Sequence, residues 1–365
     1  MIRLRYRYRS GNTRTSVDKV FLNLSPDLGL PEIIFLKMVN HIDTLTLQND
    51  LLQVRILPEF GGKIISFCSL RTGEEFILPP LNGYQHASSI ADFSEHDGGG
   101  FDECLPSVSS CKSVEGEPAV PDHGDLWRVM WHIDSQQDGL VLHADALTRP
   151  LRLTRRATLK GSSLILDYDL YNLSDNPTSW LWSAHPLLRV DAGDHIVLPD
   201  EVDKVTVEYT AAGLFKSNTS ITWPNARSTS GVITDLGKVT EKDGATAHKL
   251  FARMNQAGWG ALYRHRIGQG LVIRFDPSAL PYLGVWISLG AWPETGKKQY
   301  TVALEPTTSN SDSLASAQGN GTARCLDARA HCRWRLELEV LGASTSINLD
   351  DFRAMAALPR RLEQP

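Results

Sequence analysis

The sequence predicts an all-β protein, a sandwich of large antiparallel sheets, and it does so in three ways. Leu164, Leu166, Tyr168 and Leu170 alternate with more polar neighbours, and Trp334, Leu336, Leu338 and Val340 alternate with Arg333, Arg335, Glu337 and Glu339. This period of two belongs to strands with one face in a core. Short strand-like runs recur along the chain, and its 28 Gly and 19 Pro punctuate the turns between them. Helical periodicity is scarce, which excludes an architecture of alternating strands and helices.

In chain order, strands are expected at 41–47, 51–56, 63–68, 129–133, 140–144, 164–170 and 205–209. A hairpin follows over 261–275, turning at Gly268-Gln269-Gly270, and then strands at 283–288, 300–304 and 334–340. Two short helices are expected. One covers 313–318, capped by Ser311 or Asp312, and the other covers 350–358 and stops before Pro359. Residues 1–40 lack sustained periodicity and read as a poorly structured basic arm. Residues 41–345 read as one domain and 346–365 as a short helical tail.

The charge pattern narrows the partners. The net charge is −5, but residues 1–37 carry seven basic and three acidic side chains, so the rest of the chain carries −9. An acidic body does not suit nucleic acid, which needs a basic stripe, and it favours a neutral or cationic ligand over a phosphorylated one. The basic segment reads as a flexible arm, a docking arm, or a stretch ahead of a start at Met38. No run approaches the ~20 apolar residues of a membrane span. Five cysteines, an odd number without metal-ligand spacing, argue against a disulfide framework. A cytoplasmic location is the expectation, and a homo-oligomer is compatible with it.

Phosphate loops and the His-Glu-x-x-His zinc motif are absent from the sequence. Five segments instead join turn residues to reactive side chains. They are Pro58-Glu59-Phe60-Gly61-Gly62-Lys63-Ile64, Gly99-Gly100-Phe101-Asp102-Glu103-Cys104-Leu105-Pro106, Pro121-Asp122-His123-Gly124-Asp125-Leu126-Trp127-Arg128, Ser183-Ala184-His185-Pro186 and Ala303-Leu304-Glu305-Pro306. Taken in this order, from about Leu47 to Val340, they resemble the galactose mutarotase-like superfamily, which includes aldose 1-epimerases. The resemblance implies a β-supersandwich, a small sugar as substrate, and no metal or cofactor.

It also implies roles. Opening a cyclic hemiacetal needs a base at the anomeric hydroxyl and an acid at the ring oxygen, and each such group contributes ~10²–10⁴ in rate. By resemblance Glu305 is the base and His185 the acid, an imidazole that cycles its proton near neutral pH. His123 holds a sugar hydroxyl or shares the proton at the ring oxygen, and Gly124 lets the backbone come close to a ligand. Trp286 and Trp127 are candidates for stacking on a sugar face. Asp102 and Glu103, in the acidic segment 92–103, are candidates to grip sugar hydroxyls, and Lys63 and Arg128 to reach a hydroxyl or carboxylate. Asp276 or Asp200 stands in for the carboxylate with which family members grip the sugar. A divalent metal held by His86, His96 and the acidic segment has no ligand spacing to support it. The alternatives to a mutarotase are a carbohydrate lyase or hydrolase on the same fold and a non-catalytic sugar-binding protein.

Overall fold

The computed structural model describes residues 35–39, 42–88, 91–96, 98–112, 116–136, 139–342 and 346–359. Most of the expected arm lies outside these residues. Phe35–Val39, which the sequence assigned to the arm, forms a strand antiparallel to Ile42–Gln48. Among the described residues, no helix is long and apolar enough to cross a membrane.

Two sheets make up the body. The larger has twelve strands. Its path runs Phe35–Val39, Ile42–Gln48, Leu52–Leu57, Lys63–Ser69, Phe101–Cys104, Ser183–Arg189, Tyr300–Thr307, Tyr282–Leu289, Ala247–Arg253, Lys204–Thr210 and Ser220–Thr222, and the twelfth strand, Glu74–Glu75, pairs with Lys63–Ser69 off that path. The second has eight, in the order His195–Val197, Trp259–Arg264, Gln269–Phe275, His331–Leu341, Ser163–Asn172, Leu151–Lys160, Gly139–Asp145 and His132–Gln136. The two strands whose alternation was clearest, Ser163–Asn172 and His331–Leu341, pair antiparallel with Tyr168 opposite Trp334. Leu164, Leu166, Leu336 and Leu338 there meet Val54, Phe67, Leu250 and Leu304 of the larger sheet in one core.

The expected elements fall within a few residues of their places, with three adjustments. The hairpin pairs Trp259–Arg264 with Gln269–Phe275, so its turn is at 265–268, earlier than the Gly-Gln-Gly run. The strand expected at 129–133 starts at His132, because 126–128 form a short 3-10 turn. The helix Leu314–Asn320 is capped by Ser313, whose hydroxyl accepts from the Ser316 amide, rather than by Ser311 or Asp312. The C-terminal helix is Leu349–Ala356, capped by Asn348.

One polar cluster crosses the core. Arg155, on the inward face of Leu151–Lys160, donates from Nη1 to Glu103 Oε1 at 2.8 Å, and both side chains are 0% exposed. Tyr168 Oη donates to the same oxygen at 2.9 Å, and Trp182 Nε1 donates to Glu103 Oε2 at 3.0 Å. Burial pushes the Glu103 carboxyl up, and Arg155 with the two other donors opposes that shift. Both oxygens of Glu103 are thus engaged, Oε1 by two donors of the second sheet and Oε2 by Trp182. Arg155→Met leaves a buried carboxylate without its counter-ion, and we expect a loss of about 3–5 kcal/mol. The double variant Arg155→Met/Glu103→Leu loses less, and urea unfolding of the two side by side checks the difference.

Candidate functional site

The central strands of the larger sheet are buried on both faces, and the pleat divides their residues between them. Ala184 and Leu188, Val302 and Leu304, Leu283 and Val285, and Leu250 and Ala252 face the core. Their neighbours His185, Glu305, Trp286 and Lys249 emerge on the opposite face, where loops from the first third of the chain wall in a cavity of about 460 Å³.

Strand register sets the distances. Ser183 pairs with Thr307 and Leu187 with Ala303, so His185 lies level with Glu305 on the adjacent strand. His185 Nε2 is 4.0 Å from Glu305 Oε1, and the two residues are 6% and 1% exposed. Among the described residues, Glu305 Oε1 accepts no hydrogen bond and His185 Nδ1 has no hydrogen-bond partner. The His123 ring stands edge-on to His185 with centroids 4.9 Å apart, stacks on Phe93 at 3.9 Å, and has its Nδ1 3.1 Å from Asp122 Oδ2. His123 takes a left-handed backbone conformation, φ 56°, and Gly124 follows at φ 69°. A Cβ on Gly124 would lie 2.3 Å from the Leu105 carbonyl oxygen, so glycine is required for this turn to seat against the sheet.

Burial, reinforced by the neighbouring His123, Lys249 and Lys63, holds His185 well below the usual imidazole range. Its ring is therefore neutral at physiological pH. Burial likewise pushes the Glu305 carboxyl up, while the Lys249 ammonium opposes the shift. Asp122 moves the other way: burial alone would raise it, but His123, the Phe93 amide and Arg128 together bring it below the ordinary range.

Lys249 was not singled out by its sequence context, yet it lies at the centre of the site. Its ammonium is bonded to Glu305 Oε2 and sits 3.1 Å from Asp312 Oδ1. Burial alone would lower its pKa, but Asp312 and Glu305 hold it above the usual lysine range. The strands carrying Lys249 and Glu305 are not neighbours; Tyr282–Leu289 runs between them, and Gly284 is the residue paired with Glu305. A Cβ there would stand 3.1 Å from Glu305 Oε2 and 3.4 Å from Lys249 Cε. The missing side chain opens the passage through which the two charges meet.

Trp286 lines the cavity edge-on to Trp292, centroids 5.6 Å apart, with Tyr209 6.2 Å on its other side. Asp92, Glu95 and Glu294 are exposed where the cavity opens, and among the described residues no arginine contributes to its lining. The site thus combines an aromatic wall, a rim of carboxylates, and a floor of Glu305, His185, His123 and Lys249.

Of the residues expected at the site, Glu305, His185, His123 and Trp286 come together. The others do not line the cavity, each for a definite reason. Asp102 and Glu103 are consecutive, so the pleat sends them to opposite faces, Glu103 into the core and Asp102 beneath the site, where Lys63 Nζ is 2.6 Å from its Oδ2. That buried pair supports the floor beside His185. Arg128 braces the His123 turn by donating to the carbonyls of Gly124, Ser88 and Asp122, and its guanidinium lies 4.7 Å over the Trp127 ring. Trp127 is buried and donates to the Asp122 carbonyl. Asp276 closes a turn by accepting from the Ser278 amide, and Asp200 is exposed on another turn. His86 stacks on Phe60 and His96 meets Trp127 edge-on. Among the described residues, no group of three or more His, Cys, Asp or Glu side chains could hold a metal ion.

No family model matches the sequence, and no curated protein matches it. Solved structures do. A candidate aldose 1-epimerase from Klebsiella pneumoniae aligns with a TM-score of 0.62 at 14% identity, over 89% of this chain and 85% of that one. One from Escherichia coli K12 aligns at 0.59 and 14%, over 81% and 98%. A galactose mutarotase-like protein from Clostridium acetobutylicum aligns at 0.57 and 12%, over 85% and 98%. At such identities the likeness is one of backbone architecture, and by that measure the chain has the galactose mutarotase-like fold.

Proposed function

We propose that the chain is a sugar mutarotase that interconverts anomers by opening and reclosing a hemiacetal ring. The observation that carries this reading is the pair of groups facing each other on the cavity floor, Glu305 Oε1, without a hydrogen-bond partner among the described residues, and His185 Nε2, 4.0 Å away. An anomeric carbon bears two oxygens on one atom, and that spacing lets one meet each group within hydrogen-bond reach. A cavity of about 460 Å³ lies within the range of small-molecule sites.

In this reading Glu305 takes the proton of the anomeric hydroxyl as the bond from the anomeric carbon to the ring oxygen breaks and a carbonyl forms. His185 supplies a proton to the departing ring oxygen. The open-chain sugar turns about the bond next to its carbonyl, recloses on the other face, and both protons return. His185 is neutral in the buried site, so it acts as an N–H donor rather than as an imidazolium. The cations that oppose a positive charge on it, Lys249, Lys63 and His123, also favour its giving up a proton. Asp122 and the stack on Phe93 hold His123 against His185. Trp286 offers a ring face to the sugar's C–H groups.

Polarimetry or exchange NMR on freshly dissolved aldoses tests the reading. Glu305→Gln and His185→Asn are each expected to slow anomer interconversion about 100-fold or more, with the far-UV circular dichroism unchanged. Retained activity in either variant would remove that residue from the mechanism. The base works only when deprotonated, and burial raises its pKa. The rate is therefore expected to fall as pH drops through a midpoint above the ordinary carboxylate range.

The rim adds an expectation about substrate. Asp92, Glu95 and Glu294 repel an anion, and the nearby cation, Lys249, is committed to two carboxylates. A 6-phosphate ester is expected to show a KM about tenfold or more above its parent sugar, with the gap narrowing as salt is raised. Equal KM values at low salt would count against the rim's role.

A further inference from the structure

We infer that Lys249, anchored by Asp312 and reaching Glu305 across Gly284, is the positioning residue of the site: it supplies the counter-charge of Glu305 and leaves Oε1 alone open to a substrate. The inference rests on Glu305 being the working carboxylate, and it adds to that reading a device for orienting it.

Three independent features support it. The two carboxylate oxygens of Glu305 are not equivalent. Oε2 is occupied by the Lys249 ammonium, while Oε1 has no protein partner and faces His185. A carboxylate free to rotate would present either oxygen; one tethered by a buried ammonium presents the other. Lys249 is itself held from the far side by Asp312 Oδ1 at 3.1 Å, so its position is not set by Glu305 alone. The path between them exists because position 284 lacks a side chain, with a Cβ there 3.1 Å from Glu305 Oε2 and 3.2 Å from Glu305 Cβ. The Gly284-Val285-Trp286 segment therefore does two things: it presents an aromatic ring to the cavity and leaves a gap one pleat away.

The electrostatic surroundings are mixed, and they set the sign of the test. Lys249 faces Glu305 from the strand Ala247–Arg253, His185 from Ser183–Arg189, His123 from the turn above, and Asp312 from the loop after Tyr300–Thr307. Beyond Asp312 lies Glu208, which accepts from the Ser311 hydroxyl at 3.2 Å. Beyond His185 lies the Lys63–Asp102 pair. Without Lys249, Glu305 keeps its burial and its repulsion from Asp312 and loses its main source of compensation, so its protonated form gains.

The test measures Glu305 without turnover, by following its side-chain carboxyl resonance through a pH titration in the sugar-free protein labelled with ¹³C-glutamate. Glu305→Gln assigns the signal. In Lys249→Met the Glu305 midpoint is expected to move up by about 1–3 pH units, the size of a lost neighbouring opposite charge. Lys249→Arg, which keeps the charge, is expected to stay closer to the wild type than Lys249→Met. Gly284→Ala keeps every charge but crowds the passage, and it is expected to move the midpoint in the same direction by a smaller amount. It also decides the matter should Lys249→Met fail to fold. A midpoint that is unchanged or lower in Lys249→Met, or in Gly284→Ala where that variant stands in, overturns the inference. With a sugar that turns over, the acid limb of the rate profile should shift with the carboxyl midpoint, whereas a structural defect would lower the rate at all pH values alike. A wild-type protein inactive on every aldose would refute the mutarotase reading, and the carboxyl titration would still test Lys249.

Discussion

Both faces of the larger sheet are covered at its central strands, and that constraint governs where the reactive groups of the site can sit. A strand with one wet face can place a charge at any outward position at little cost. A strand covered on both sides can place one only where a partner waits. Three buried carboxylates in the middle of this sheet each have one. Glu103 has Arg155 from the opposite sheet, Asp102 has Lys63 from a nearby strand, and Glu305 has Lys249 from two strands away. The three pairs differ in what they leave over. Glu103 is fully engaged by Arg155, Tyr168 and Trp182, whereas Glu305 retains a buried oxygen with no hydrogen-bond partner among the described residues. That unpartnered oxygen, rather than burial or charge alone, separates a structural carboxylate from a candidate for chemistry.

The same constraint explains what the sequence could and could not reveal. Strands with one face against the core and one toward solvent, such as Ser163–Asn172 and His331–Leu341, alternate visibly and were legible at once. Leu151–Lys160 alternates in the structure just as regularly, but its inward series contains Arg155, and a charged residue at a core position breaks the hydrophobic pattern. Phe101–Cys104 and Ser183–Arg189 are buried almost throughout, so no period of two appears in their hydropathy, and Pro186 reads as a turn. These two unrecognised strands lie side by side in the larger sheet, and the second carries His185.

The site divides in a similar way. His123, His185 and Glu305 were legible because each sits in a short segment with Gly or Pro, where chemistry-bearing residues stand out. Lys249 lies in Ala247–Arg253 with no such punctuation, and nothing in Ala-His-Lys-Leu-Phe marks it as buried. What betrays it is three-dimensional: a strand order that places two strands on either side of a third, and a glycine at one register position of the strand between. Asp102 and Glu103 mark the opposite error. Adjacent in sequence and alike in type, they read as a pair, but adjacency in a strand means opposite faces. Knowing that Phe101–Cys104 was a strand would have separated them from the sequence alone.

The neutrality of His185 follows from the same packing and bears on how such a site can work at all. An imidazole that cycled its proton in the usual range would need solvent or a carboxylate close by to stabilise its charged form. Here the nearest carboxylate oxygen is 4.0 Å away, beyond a hydrogen bond, and the neighbouring charges are cationic. The carboxylate, by contrast, has an ammonium bonded to it. The two groups are thus biased in opposite ways: Lys249, bound to Glu305, opposes the upward push of burial on that carboxyl, while burial, with His123 and Lys249 behind it, keeps His185 from taking up a second proton. Burial acts on both residues, and one buried lysine opposes it at Glu305 and adds to it at His185, a difference that neither residue's type would impose.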